Sequence, residues 1–157
     1  MTTTKANTLL KTSVAVGVAA GAGGLATDPE SDWYRELEKP SWQPPPQTFG
    51  IVWPALYSLI AYSAGRAMDL GSQDERRGVA QALGINLALN AGWSLLFFGA
   101  KSPRAAFGEI MALNLSNVLL VRRAWLVDRR AGLLLLPYAG WTAFATLLNG
   151  AIARRNR

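Results

Sequence analysis

Five apolar runs separated by short polar connections set the pattern of this chain: residues 9–26, 49–68, 79–100, 105–121 and 131–153. A bilayer core about 30 Å thick needs about 20 predominantly apolar residues in a helix. Each run therefore predicts a span, and the whole predicts an all-α membrane protein, a single domain over residues 1–157 folded as a bundle of five transmembrane helices. The first run is rich in Gly and Ala and contains Lys11. With Lys5 before it and Gly24-Leu25-Ala26 at its end it also fits a signal peptide. Residues 27–48 are mixed in charge and rich in proline, which predicts a lid loop. Within it, residues 32–39 suit a short interfacial helix capped by Ser31 or Asp32, and Pro40 with Pro44-Pro45-Pro46 an extended segment. The remaining connections are short, so sequential helices become antiparallel neighbours. No internal repeat is visible, and an odd number of spans argues against an inverted-repeat transporter.

Composition narrows the function. Half of the residues are apolar and 17% are charged, against about 25% in soluble domains. The net charge is +6, which suits nucleic acid or an anionic membrane surface. The basic residues decide for the membrane: Arg66, Arg76, Arg77, Lys101, Arg104, Arg122, Arg123, Arg129, Arg130, Arg154, Arg155 and Arg157 fall mostly between apolar runs, as in interfacial loops. A nucleic-acid domain would gather them on one face, and no nucleic-acid partner is expected. A small excess of Lys and Arg in the N-terminus and in the second and fourth loops places the N-terminus inside and the lid outside. The chain has neither cysteine nor histidine. That excludes disulfides, thiol chemistry, Cys/His metal sites and histidine ligation of haem, and no metal site is expected.

Residues 33–57, WYRELEKPSWQPPPQTFGIVWPALY, hold three of the six tryptophans and five of the eight prolines. In the third run Asn86, Asn90 and Trp93 share one helical face, turned inward because an amide facing lipid is costly. The alternative role for these amides is simply to tie helices together. Ala80, Gly84, Ala88 and Gly92 form a small-residue stripe on nearly the opposite face, a packing surface within the bundle or across a homodimer. In the fifth run Tyr138 and Trp141 lead along one face to Ala145 and Asn149, with Pro137 bending the helix near its start. Trp53 and Tyr57 stand one turn apart in the second run. Such aromatics with polar tips suit a flat, rigid apolar ligand, or alternatively an interfacial aromatic belt, which fits Trp33, Trp42 and Trp125. The fourth run carries Asn114, Asn117 and Glu109, the last either functional or paired with Arg104 at the interface.

These residues resemble the translocator protein / tryptophan-rich sensory protein family (TspO/MBR). The resemblance rests on WYRELEKPSWQPP with FGIVWPALY, then LALNAGWSLLFFGA, then LPYAGWTAFATLLN, in family order and spanning residues 33–154. It implies a five-helix bundle, commonly dimeric, in which the first run is a true helix. It also implies a pocket beneath the first loop for porphyrins, sterols and benzodiazepine-type ligands. Carried over by motif, the pocket residues are Trp42, Pro44, Pro45, Phe49, Trp53, Tyr57, Asn90, Trp93, Tyr138, Trp141, Ala145 and Asn149. Two departures stand out. Gly150 occupies the place of a tyrosine in the family's sterol-recognition pattern, although Arg154 remains, so sterol recognition of that kind is not expected. Pro54 beside Trp53 predicts a shifted start for the second helix.

The expected function is a multi-pass integral membrane protein of a prokaryotic-type cell membrane that binds porphyrins or tetrapyrroles as a stress sensor or handler, with no cofactor apart from porphyrin as ligand. The macrocycle would stack on Trp53, Trp93 and Trp141, with its propionates near Arg35 or Lys39. Two other readings are light-dependent porphyrin degradation, using Trp53 and Trp141 as oxidisable rings, and transport of porphyrin or lipid. Other expected partners are membrane lipid and a second copy of the chain through Ala80, Gly84, Ala88 and Gly92.

Overall fold

The computed structural model describes residues 2–156, with side chains described from residue 7; Lys5 and Arg157 among the basic residues above lie outside the described side chains. The described residues form α1 (Thr2–Ala26), α2 (Asp32–Glu36), α3 (Pro46–Leu70), α4 (Gln73–Ser94) with a π-helical turn Leu95–Gly99, α5 (Pro103–Val127), α6 (Arg129–Leu134) and α7 (Leu136–Arg155). Among the described residues four segments are long and apolar enough to cross a membrane: Asn7–Ala26, Gln73–Gly99, Pro103–Val127 and Arg129–Arg155. Helix α3, of 25 residues, is not among these four.

Local chemistry sets the helix ends. Ser72 and Glu75 form a reciprocal capping box at α4, which satisfies two otherwise orphaned donors. Ser102 caps α5 ahead of Pro103, which suits a first-turn position. Ser31 caps α2 as the sequence suggests, and Leu37, in extended conformation, ends it. Of the triple-proline run, Pro45 is extended (φ −57°, ψ 149°) while Pro46 opens α3. Pro54 therefore lies inside α3 and does not delay its start. Near the chain end, Leu135 separates α6 from α7 just before Pro137, so the fifth apolar run is broken in two.

Helix α1 packs on α3 and α4, α4 on α5, and α5 on α7 and α6. Contact between α1 and α3 is close because Thr12, fully buried, donates to the Ala61 carbonyl at 2.9 Å, and a Cβ at Gly65 would come within 3.1 Å of that same Thr12 oxygen. Small residues of this kind let helix backbones approach in lipid, where packing replaces the hydrophobic effect. By contrast Ala80, Gly84 and Ala88 lie on an exposed face of α4, and a Cβ on Gly84 would meet nothing within 4 Å. These three positions do not pack within the bundle, whereas Gly92, the fourth of the stripe, is half-buried against Glu109 of α5.

Helix α3 is locked to α6 at one end. Arg66 donates from Nε to Asp128 at 2.7 Å and from Nη2 at 3.3 Å, and Asp128 also accepts from the Ala131 amide at 2.9 Å as the cap of α6. The hydrogen bond from Arg66 holds the Asp128 carboxyl below the usual carboxylate range. A depressed folded-state pKa means the stabilisation is complete above the unfolded value, about 3.9, and is lost as pH falls through the folded value. Thermal melting between pH 7 and pH 3 should therefore show a decline in acid that shrinks in Asp128→Asn, with the variant less stable at pH 7; parallel melting curves for the two proteins would discount the lock.

Candidate functional site

Helix α7 is the spine of the site. From it Tyr138, Trp141, Phe144 and Asn149 reach toward α3, α4 and the lid. Trp53 stacks on Tyr57 with ring centres 5.2 Å apart and meets Tyr138 edge-on at 6.4 Å. Further along, Phe49 meets Trp141 edge-on at 5.6 Å, Trp141 lies 5.4 Å from Phe144, and Phe144 receives the edge of Trp42 at 5.9 Å. Edge-to-face pairs of this kind contribute about 0.5–1.5 kcal/mol each beyond their buried area. This chain of rings runs from α3 through α7 to the lid.

Trp93 belongs to a second group. It stacks on Phe97 at 5.0 Å and meets Phe98 edge-on at 6.2 Å, while Trp33 and Tyr34 of α2 cover the same phenylalanines. The indole of Trp93 donates to Asn149 Oδ1 at 2.9 Å, and Asn149 Nδ2 in turn donates to the Pro103 carbonyl at 2.8 Å. Trp93 and Asn149 thus meet as a pair, while Trp93 stacks on Phe97 and Trp53 on Tyr57. The π-helical turn places Phe97 and Phe98 under α2, and Trp33 packs on this group.

The amides form one continuous chain. Tyr57 donates to Asn90 at 2.9 Å, Asn90 to the Tyr138 hydroxyl at 3.1 Å, and that hydroxyl to Asn86 at 3.0 Å. Asn86 then donates to Ser116 at 2.7 Å and Asn117 at 2.6 Å, and Asn117 to Thr142 at 2.7 Å. Asn114 extends the chain to Thr146 at 2.7 Å. Asn86, Asn90, Tyr138 and Asn149 are all buried, so these amides tie α3, α4, α5 and α7 together while bordering the rings. Thr142, Ser116, Phe97, Phe98 and Phe144 were not singled out from sequence. Thr142 stands one turn from Tyr138 and Phe144 three residues from Trp141, spacings that carry the signal.

Against this saturated network, a few polar atoms stand out. Trp141 Nε1, Gln43 Oε1 on the lid and both carboxylate oxygens of Glu109 are buried without a hydrogen-bond partner. A buried donor without a partner costs about 1–3 kcal/mol. Glu109 makes no ion pair with Arg104; a Cβ at Gly92 would lie 3.8 Å from its Oε1, which puts the carboxylate against α4. Glu109→Met, which removes the unpartnered polar atoms and keeps the length of the side chain, should accordingly raise the melting temperature by about 2–4 °C; a fall instead would reveal a partner that depends on the carboxylate.

The lid is held at several points. Asn156 accepts from the Glu38 amide at 2.9 Å and donates to its carbonyl at 3.0 Å. Lys39 Nζ donates to the carbonyls of Tyr34, Arg35 and Leu37 and lies over the Tyr34 ring; burial lowers its pKa. Arg35 pairs with Glu30 at 2.5 Å with both side chains exposed. Of the lid residues, Trp42 is 48% exposed, Pro44 is half-buried and Pro45 exposed, while Ala145 on α7 is half-buried.

Residues 12–155 match the TspO/MBR family. The chain is 36% identical over 144 residues to the tryptophan-rich protein TspO of Chlorobaculum tepidum, covering 91% of this chain and 90% of that protein. It is 34% identical over 138 residues to protein CrtK of Rhodobacter capsulatus, covering 87% and 86%. With the human translocator protein the identity is 36% over 126 residues, covering 79% and 75%.

Proposed function

The chain belongs to the TspO/MBR family, and from that premise we propose that it binds a tetrapyrrole, protoporphyrin being the representative probe, between the lid and α7. Its four apolar helices and its family support an integral membrane protein; α3 acts as the fifth span, since its 25 residues reach about 37 Å at 1.5 Å each and pack along α1.

The observation that carries the reading is the unpartnered, buried indole N–H of Trp141, set in a chain of rings that runs from Phe49 to Trp42. A flat macrocycle with ring nitrogens and carboxylates supplies both the π surface and the acceptor this arrangement lacks. Space comes from the lid, whose edge-on contact between Trp42 and Phe144 can be exchanged for contact with the ligand. The propionates lie at the lid rim. There the exposed Arg35–Glu30 pair, worth little by itself, can yield its guanidinium to them, a charge-assisted bond. The buried amide network and Trp93 hold the helices apart at a fixed spacing and do not touch the macrocycle's charges. Titrating protoporphyrin into the protein in nanodiscs should quench tryptophan fluorescence with saturation near one ligand per chain. Quenching that merely follows total lipid, with no saturation, would defeat the proposal.

A further inference from the structure

A groove of about 710 Å³ lies on the outer surface between α5 and α7, bordered on its inner side by Thr146 at the end of the amide chain. Its floor is apolar, formed by Phe107, Met111 and Leu147 with Gly150, and its rim carries Arg104 and Arg154. Its size is that of a ligand site. Gly150 shapes the floor: a Cβ there would fall 2.9 Å from the Phe107 ring, so the phenyl group occupies the space a larger residue would fill.

Both rim arginines are exposed. Arg154 stands in the last turn of α7, where a cation complements the helix dipole. Arg104 stands in the first turn of α5, which has no acidic residue, and a cation there opposes the dipole. Neither arginine has an ion pair or hydrogen bond among the described residues, and Glu109, the nearby carboxylate on α5, faces Gly92 on α4 instead. Two guanidinium groups without a protein partner, both exposed at the rim, can share one anion, and the apolar floor continues from them along α5 and α7.

We propose that this groove holds one anionic phospholipid, its phosphate between Arg104 and Arg154 and an acyl chain along Phe107, Met111 and Leu147. The charges at the rim select an acidic headgroup rather than a hydroxyl. Basic pockets between transmembrane helices are suited to such headgroups.

The test is retention of lipid by the purified full chain, equilibrated with an equimolar mixture of phosphatidylglycerol and phosphatidylcholine of matched chains and read by native mass spectrometry. Two basic contacts should give a preference for phosphatidylglycerol of roughly ten- to thirtyfold. Arg104→Gln/Arg154→Gln should reduce it to near parity with unchanged helix content. Met111→Trp, which narrows the floor and leaves both arginines in place, should lower retention of both lipids. Equal retention of the two lipids by the parent protein, or an undiminished preference in the arginine variant, would overturn the proposal. Full displacement of the lipid by glycerol phosphate alone would do so as well, showing a site for free phosphate instead.

Discussion

Trp141→Phe should weaken protoporphyrin binding roughly three- to tenfold while leaving the fold intact, because it removes one hydrogen-bond donor worth about 0.5–1.5 kcal/mol. The phenyl ring preserves the contacts that the indole makes with Phe49 at 5.6 Å and Phe144 at 5.4 Å. Trp141→Ala removes those ring contacts as well, and its loss should reach roughly 30- to 100-fold. Reading the two variants together separates the donor from the surface. In the unliganded protein the free indole N–H is a cost, so Trp141→Phe should also melt at an equal or higher temperature than the parent. Tighter structure with weaker binding marks a side chain kept for its ligand. If both variants bind as the parent does, α7 is not a wall of the site.

Asn86→Ala should give the largest loss of stability among single polar substitutions, about 2 kcal/mol, or roughly 4–8 °C in melting temperature. Asn86 is fully buried and makes three hydrogen bonds, two as donor to Ser116 and Asn117 and one as acceptor from Tyr138. In water-soluble cores three orphaned partners would predict a larger figure. Within a membrane the average interhelical hydrogen bond contributes only about 0.6 kcal/mol, because the separated helices find other partners; that value decides the magnitude. Differential scanning fluorimetry in detergent measures it. A shift under 1 °C would mean that Ser116, Asn117 and Tyr138 re-pair among themselves.

Much of this architecture was legible from residue spacing. The apolar runs located the long helices, Ser31 marked the start of α2, and the shared face of Asn86, Asn90 and Trp93 was read as inward, which the burial of both amides bears out. What spacing could not convey was which partner each inward group meets. Asn86 and Asn90 admitted either a ligand or a neighbouring helix, and the structure pairs both with protein groups; only three-dimensional proximity brings Tyr138 between them. Trp93 shares a face with Asn90, yet the π-helical turn that follows it swings Phe97 and Phe98 beneath α2, and a one-residue change in helical pitch has no signature in a hydrophobic pattern. The placement of Pro54 inside α3 followed similarly from context, since Pro46 was available as the helix start. Glu109 illustrates the same limit: its distance in sequence from Arg104 allowed an ion pair, whereas the packing of α5 on α4 turns it toward Gly92.

The central claim is that the Trp141 indole N–H lies buried and unpaired until a tetrapyrrole accepts from it. Indole-¹⁵N spectra of the protein in nanodiscs resolve this directly, because the six tryptophans give separate N–H signals that single Trp→Phe variants assign. On adding protoporphyrin to saturation, the Trp141 signal should move downfield as it gains an acceptor, while the Trp93 signal, already bonded to Asn149, should move little. A Trp141 signal that stays in place at full saturation would contradict the account.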